Sequence, residues 1–466
     1  MKFFAAGRDV DMTSAPFMKK LTVFTLPLVV SGILQLLYNS ADLIVVGQLS
    51  RDASNAQAAI SSTTSLVHLL VNLFIGLSVG INVTCANSLG ARNHDETFRV
   101  VHTSFFLAVV SGLFVAVIGT VFSDDLLRLM QSPEDVLPLS TLYLRIYFIG
   151  SPFNIWYNFG AAILRSKGDT QKPLVYLAIS GTVNVVLNIF FVLVLDMSVD
   201  GVAIATVTSQ VLSAVLVTIS LIKEDGPCKL DISKLSVNGK TLGEIVRIGL
   251  PAGIQSSLFS ISNVIIQSSI NSLGGVVIAG NGNAQSVEGF VCITVEAIGQ
   301  AAVAFIAQNC GAKKKENVRI VMKDSFILMT IASLILSAVV VLLRRPLLYI
   351  FSPDENAADY GEMRLIINVS IYFTYGWMQI IVSFLRGLGK GVLPMTISLI
   401  GICLFRVLWI YTVFKAVGTY ESVIISYPIS WIITGAAQLA AYFITRKKTF
   451  GKLFDEAHPP AAEVAS

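Results

Sequence analysis

The sequence predicts an all-α polytopic membrane protein, and three observations lead there. Charged residues are 13% of the 466-residue chain and apolar ones 54%, with a mean hydropathy of +0.73; a soluble chain carries a charged share of roughly 25%. Apolar stretches long enough to cross a ~30 Å hydrocarbon core as a helix recur along almost the whole chain and leave no room for a large soluble domain. The basic residues then fall on alternate loops.

Twelve spans follow in order, at 21–46, 57–87, 99–123, 138–164, 173–195, 201–222, 243–272, 277–308, 321–343, 362–386, 392–415 and 422–445. The first carries Pro27 near its cytoplasmic end, and the seventh carries Pro251 in the same place; a proline there removes a backbone hydrogen bond and marks a hinge. The second and eighth are long enough to include interfacial turns. The sixth is weakly apolar at its start. With both termini inside, 25 of the 33 Lys and Arg residues lie on cytoplasmic segments, while Arg51, Arg128, Arg344, Arg345, Arg364 and Lys415 lie outside and Arg145 and Arg406 within spans. That bias supports an even number of crossings with cytoplasmic ends.

Self-similarity divides the chain. SLGARN at Ser88 matches NCGAKK at Asn309, and LRSKGDTQKP at Leu164 matches LRGLGKGVLP at Leu385. Gly90 and Gly311, Arg165 and Arg386, Gly168 and Gly389, and Pro173 and Pro394 are each 221 residues apart, and Pro27 precedes Pro251 by 224. Membrane composition alone does not hold a constant offset at separate places. The organisation predicted is a cytoplasmic segment 1–20, a six-helix bundle 21–222, a linker 223–242, a second bundle 243–445 and a tail 446–466. Six is even, so the bundles enter with the same orientation and form two homologous halves related by a pseudo-two-fold axis along the membrane normal, an arrangement met in secondary transporters.

The polar groups inside spans fall into two sets. In the first half they are Gln35, Asn39 and Asp42, His68 and Asn72, Asn154 and Asn158, Asn184 and Asn188, and Thr206. Asn154/Asn158 and Asn184/Asn188 are i, i+4 pairs, and Gln35, Asn39 and Asp42 share a helical face. Asp42 is the only acid of this set, and a carboxylate at mid-bilayer costs about 2.5–3.5 kcal/mol on insertion scales, so it faces protein or water and has a task. The set reads as a cation-attracting chamber; the plainer reading is amide glue between helices. In the second half the acids are Glu288 and Glu296, followed by Gln300. Two turns apart on one helix, they suit an organic cation or proton exchange, or one of them pairs with Arg406.

Several chemistries are not expected. NGKT at Asn238 lacks the glycine of a phosphate loop, where Lys234 stands instead, so no nucleotide is predicted to bind and an ion gradient must drive any movement. The net charge of +4 is accounted for by the loops and argues nothing for nucleic acid. Cys85, Cys228, Cys292, Cys310 and Cys403 have no paired spacing and suggest neither a disulfide framework nor a zinc site.

LPLVVSGILQLLYNSADLIVVGQL, GLSVGINVTCANSLGARN, LRSKGDTQKPL with NVVLNIFFV beyond it, GVAIATVTSQ and LRGLGKGVLPM together resemble the multidrug and toxic compound extrusion (MATE) family of bacterial exporters. The likeness runs from about Leu21 to Ile444 and involves both halves. It implies two six-helix bundles in the cytoplasmic membrane that export cationic or amphipathic organic compounds in exchange for Na+ or H+, with no other cofactor and no enzymatic activity. It also implies that Asp42 is the acid of the first helix central to cation coupling, with Asn184 and Thr206 at matching positions and a Na+ site at Asp42 and Asn184. Asn188 departs from the aspartate many relatives carry, and SSLFSISNVIIQ in the seventh span lacks the glutamate of one sodium-coupled branch; Glu288 and Glu296 are candidates to replace it.

The leading expectation is therefore a cation-coupled antiporter working by alternating access, with Asp42, Asn39, Asn184, Asn188 and Thr206 in coupling. Glu288, Glu296, Gln300, Tyr38, Gln35, Asn158 and Arg406 are the candidates for substrate or second-half cation binding. Phe24, Tyr38, Phe153, Trp156, Phe259 and Phe290 are candidate aromatic surface. The alternatives are a flippase for a lipid-linked precursor, which wants a basic cavity, and a passive channel, which would show flux without exchange.

Overall fold

In hydrocarbon no water satisfies the backbone, so each apolar stretch must close its own hydrogen bonds as a helix. The computed structural model describes residues 9–50, 53–130 and 132–447; the side chain of His68, raised above as a candidate polar group, lies outside the described residues. Among the described residues there is no strand. Twelve long helices run in chain order: α1 (Phe17–Leu49), α2 (Ala53–Gly90), α3 (His94–Val121), α4 (Leu137–Lys167), α5 (Gln171–Leu193), α6 (Val199–Ile222), α7 (Gly239–Asn271), α8 (Gly275–Gly311), α9 (Lys315–Leu342), α10 (Glu355–Val369 with Tyr372–Gly387), α11 (Val392–Val417) and α12 (Tyr420–Thr445). Ten are long and apolar enough to cross a membrane by themselves, and α10 passes as a pair bent by 47°. The exception is α4, whose composition carries Arg145, Asn154, Asn158 and four tyrosines or tryptophans. Its neighbours bury Phe148, Phe159, Ile155 and Leu144 completely, while Leu142, Ile149 and Phe153 stay exposed.

The repeat seen in the sequence recurs in backbone conformation. Arg92 and Lys313 both take positive φ, at 53° and 54°, in the turns after α2 and α8. Gly168 and Gly389, at 110° and 77°, do the same after α4 and α10. These pairs stand at the 221-residue offset, so the same turn chemistry ends the same helix in each half.

The chain forms two compact units. The first holds residues up to Val10, Leu26–Leu89 and Asn93–Ser257; the second holds Asp11–Thr25, Gly90–Arg92 and the chain from Leu258 onward. Helices α1 and α7 are thus each divided, their opening turns contributing to one unit and the remainder to the other.

In the first unit α4 packs along α3 and α6, and α2 meets the opening turns of α7 through two pairs of glycines. Gly76 and Gly80 lie on the backbone of Gly253, Ile245 and Gly249, and a Cβ at any of Gly76, Gly80 or Gly253 would overlap main-chain atoms. Small residues four apart on both partners let two helix backbones touch, the close-packing device of membrane helices. The linker is docked rather than solvated. Cys228 and Leu230 are buried, Asp231 N donates to His102 Nε2 at 3.2 Å, Asn238 N to Thr103 Oγ1 at 3.1 Å, and Thr241 Oγ1 to Glu96 Oε1 at 2.9 Å.

In the second unit α8 is central, with α9 and α10 packed along it and its small residues Ala297, Gly299, Ala301 and Ala304 buried, Ser383 of α10 donating to the Gly299 carbonyl at 3.0 Å. Here the segment before α1 is held in the way the linker is held in the first. Met12 is fully buried, its carbonyl accepts from Asn309 Nδ2 at 2.7 Å, and the Thr13 carbonyl accepts from Asn317 Nδ2 at 2.8 Å.

Candidate functional site

Asp42 lies in α1 one turn before Val45 and Val46, which pack with Ile60, Tyr143, Val192, Val199 and Val202 into a dry cluster. Asp42 itself is 9% exposed. Helices α5 and α6 supply its partners. Asn188 Nδ2 donates to Asp42 Oδ1 at 2.5 Å and lies 3.3 Å from Asn184 Oδ1. Thr206 Oγ1 lies 3.4 Å from Asp42 Oδ2, and Asn184 Nδ2 is 3.4 Å from the same hydroxyl. The i, i+4 spacing of Asn184 and Asn188 places both amides on the α5 face turned to Asp42. Asn188 is fully buried and its Oδ1 has no hydrogen-bond partner, a costly state for a buried polar atom. The residues carry a carboxylate, two amides and a hydroxyl; the Asn188 amide turns its nitrogen to Asp42, and a rotation of that amide would bring its oxygen, the donor type hard cations take, to the carboxylate instead.

Not every residue expected at this site reaches it. Gln35 and Asn39 are exposed on α1, although the spacing puts them near the face of Asp42. Tyr38 donates to the Ala178 carbonyl at 3.3 Å and its ring covers Gly181, so it ties α1 to α5 one turn from Asp42. Asn158 donates to Asn154 Oδ1 at 2.7 Å, the two amides satisfying one another on α4. Trp156 donates to Thr218 at 2.7 Å, and Phe24 stacks edge-on against Phe305 at 5.5 Å. Phe153 and Phe290 are exposed.

The second unit holds a different arrangement. Glu288 on α8 is bound by Arg364 Nη2 at 2.7 Å and by Asn368 Nδ2 at 3.2 Å, both from α10. Arg364 also donates to Asn281 Oδ1 at 2.6 Å, which accepts from Tyr420 as well at 3.1 Å. A π-helical turn at Leu365–Val369 follows Arg364 and precedes the bend of α10. Such turns interrupt the regular ladder and re-aim side chains, and here Arg364 and Asn368 converge on one carboxylate. Two expectations are corrected. Arg364 is 2% exposed inside the unit and does not lie on an outer loop. It, and not Arg406, is the ion-pair partner of Glu288, because α10 brings a guanidinium to α8 directly.

Arg406 on α11 donates from Nε to Ser430 Oγ at 2.9 Å and lies over the Tyr427 ring at 4.0 Å. Glu296, two turns along from Glu288, is exposed with Gln300, and Cys292 Sγ is 3.7 Å from its Oε1. The two glutamates therefore have separate surroundings. Glu288, Arg406, Phe259, Tyr372, Tyr375 and Trp431 border a partly open cavity of about 150 Å³.

The MatE family profile matches residues 27–190 and again 251–412, once on each half of the chain. A probable multidrug resistance protein, YoeA, of Bacillus subtilis (strain 168) is 28% identical over 93% of this chain and 96% of its own length. An FAD transporter of Shewanella oneidensis is 23% identical over 94% and 96%. A crystal structure of MATE in the bent conformation superposes with a TM-score of 0.88 at 20% identity, covering 97% of this chain and 99% of that one. Two matches of one profile on twelve helices in two repeats, with relatives aligned from end to end, leave one assignment: the chain belongs to the multidrug and toxic compound extrusion family, whose members are membrane transporters and not enzymes.

Proposed function

We propose that this chain is a cation-coupled exporter of small organic compounds, cationic or amphipathic, working by alternating access, with Asp42 as the coupling carboxylate and Na+ or H+ as the coupling ion. The observation that carries the reading is the Asp42 cluster: a buried acid with no basic partner among the described residues, met by Asn188 and Thr206 and adjoining an unsatisfied Asn188 oxygen. A structural carboxylate in a membrane protein pairs with a cation of the protein. This one has only neutral neighbours, so an incoming ion is the charge that completes it. The FAD transporter among the relatives supports leaving the substrate class broader than drug-like cations.

The test is transport of a fluorescent lipophilic cation in vesicles, with a Na+ gradient and a pH gradient imposed separately on the unmodified chain and on Asp42→Asn. One gradient is expected to drive transport, and Asp42→Asn to lower the driven rate at least ~tenfold, the loss of a contribution near 1.4 kcal/mol. Gradient-driven transport at full rate in Asp42→Asn would remove Asp42 from coupling.

A further inference from the structure

The cavity of the second unit has two charged groups on its border, and they are in opposite states. Glu288 has its charge balanced: Arg364 pairs with it at Oε2, and Asn368 donates to Oε1. Arg406 does not. A guanidinium offers five N–H donors, and only its Nε–H is used, on Ser430. The Tyr427 face lies against the positive charge at 4.0 Å, but no carboxylate pairs with Arg406 among the described residues. Arg406 is nonetheless 5% exposed. Arg364 stands over the same tyrosine ring at 5.0 Å. The buried cluster thus contains two guanidinium groups and one carboxylate, an excess of one positive charge in a place where an unpaired ion is strongly disfavoured.

Geometry sets what would neutralise it. The Nη donors of an arginine form a planar fork that matches a carboxylate in two parallel hydrogen bonds. Beside that fork the walls are Tyr372, Tyr375 and Trp431, with Tyr372 and Trp431 centroids 5.2 Å apart. The volume of about 150 Å³ equals that of a cavity known to accept a benzene ring. We propose that this cavity binds a small aromatic organic anion, its carboxylate on the Nη fork of Arg406 and its ring against the wall that Tyr372, Tyr375 and Trp431 form by packing on one another. An organic cation meets the wrong field here, because Arg364 already balances the charge of Glu288 and Arg406 repels a second positive group. The inference sets an aromatic anion beside the cationic compounds of the proposed exporter, and rests on that reading for what becomes of the ligand, but not for its binding.

The purified full-length chain in detergent is titrated by calorimetry with 4-methylbenzoate, 4-methylbenzamide and 4-methylbenzylammonium, three ligands of one shape and different charge. The carboxylate is expected to bind at least ~tenfold more tightly than the other two. Arg406→Gln removes that preference and Arg406→Lys keeps part of it. If Arg406→Gln does not fold, Asn263→Trp carries the test, since Asn263 borders the cavity from an exposed position and makes no contact on which Arg406 depends; it narrows the space and is expected to weaken the carboxylate. Equal binding of the three ligands, tightest binding of the ammonium, an unchanged carboxylate preference in folded Arg406→Gln, or an unchanged carboxylate affinity in Asn263→Trp overturns the proposal. Gradient-driven flux is read separately. Carboxylate binding without driven flux sinks the exporter reading and leaves the site, whereas driven flux without charge preference does the reverse.

Discussion

Asp42 and Asn188 show what one atom decides at this site. The amide Nδ2 of Asn188 is 2.5 Å from Asp42 Oδ1, so Asn188→Asp would set two carboxylate oxygens at hydrogen-bond distance in a buried place. Two such groups do not both stay ionised unless a proton or a cation lies between them. The substitution is expected to lower the half-saturating concentration of the coupling ion by ~tenfold, a fraction of the ~4 kcal/mol between unit charges 4 Å apart at an effective dielectric of 20. Ion dependence of flux in the variant checks it, and an unchanged half-saturation would mean that Asn188 does not face the ion. The α5 half of this cluster was legible from the i, i+4 spacing of Asn184 and Asn188; Thr206 was legible as a polar group of the sixth span, and its contact with Asp42 was not, since nothing local relates two residues 164 apart. Gln35 and Asn39 were misplaced for a physical reason. Helical spacing gives the angle of a side chain about its own axis, but which neighbour covers that angle at that depth is set by distant chain, and α5 and α6 cover α1 at Asp42 while leaving Asn39 exposed. Arg364 was hidden in the same way: its spacing from Asn368 was visible, but its carboxylate is 76 residues away on α8.

Among whole elements, the crossing of α2 and α7 depends most directly on residue size. The backbones touch at Gly76 and Gly80 on one side and Gly249 and Gly253 on the other. A methyl group at Gly253 would meet the Leu73 carbonyl, a main-chain atom that cannot rotate away. Gly253→Leu is therefore expected to separate the two helices and destabilise the protein by at least the ~1–3 kcal/mol typical of overpacking. Gly243→Leu on the same helix, where nothing lies within 4 Å of the added carbon, is expected to be neutral. Thermal unfolding of the detergent-solubilised variants checks the pair; equal melting temperatures would deny that this crossing is close-packed. Element number and order were legible because a run of apolar residues is a local signal. The bend of α10 was not, since the π-helical turn at Leu365–Val369 replaces no residue with Gly or Pro and leaves no mark in composition.

At the scale of the molecule, the chain changes unit in the segment before α1, in the turn after α2, and within α1 and α7, and the last two are the places where a helix itself must absorb any movement of one unit. In α1 the change of unit falls between Thr25 and Leu26, next to Pro27; in α7 it falls between Ser257 and Leu258, less than two turns beyond Pro251. A proline inside a helix lacks one backbone hydrogen bond and costs ~3 kcal/mol or more of helix stability, so these are the softest points of two helices that belong to both units. Their role as hinges is thus a prediction about rate and not about folding. Pro27→Ala and Pro251→Ala are each expected to leave the melting temperature unchanged or raised, because the ladder closes, while lowering driven flux several-fold as the bend becomes harder. Pro152 is the control: it lies in α4, wholly within the first unit, against Gly112, and its replacement by alanine is expected to alter stability without a selective loss of flux. If the two hinge variants and their combination transport at the unmodified rate, α1 and α7 do not bend at their prolines during turnover, and the movement must be sought in the turns that join the other helices.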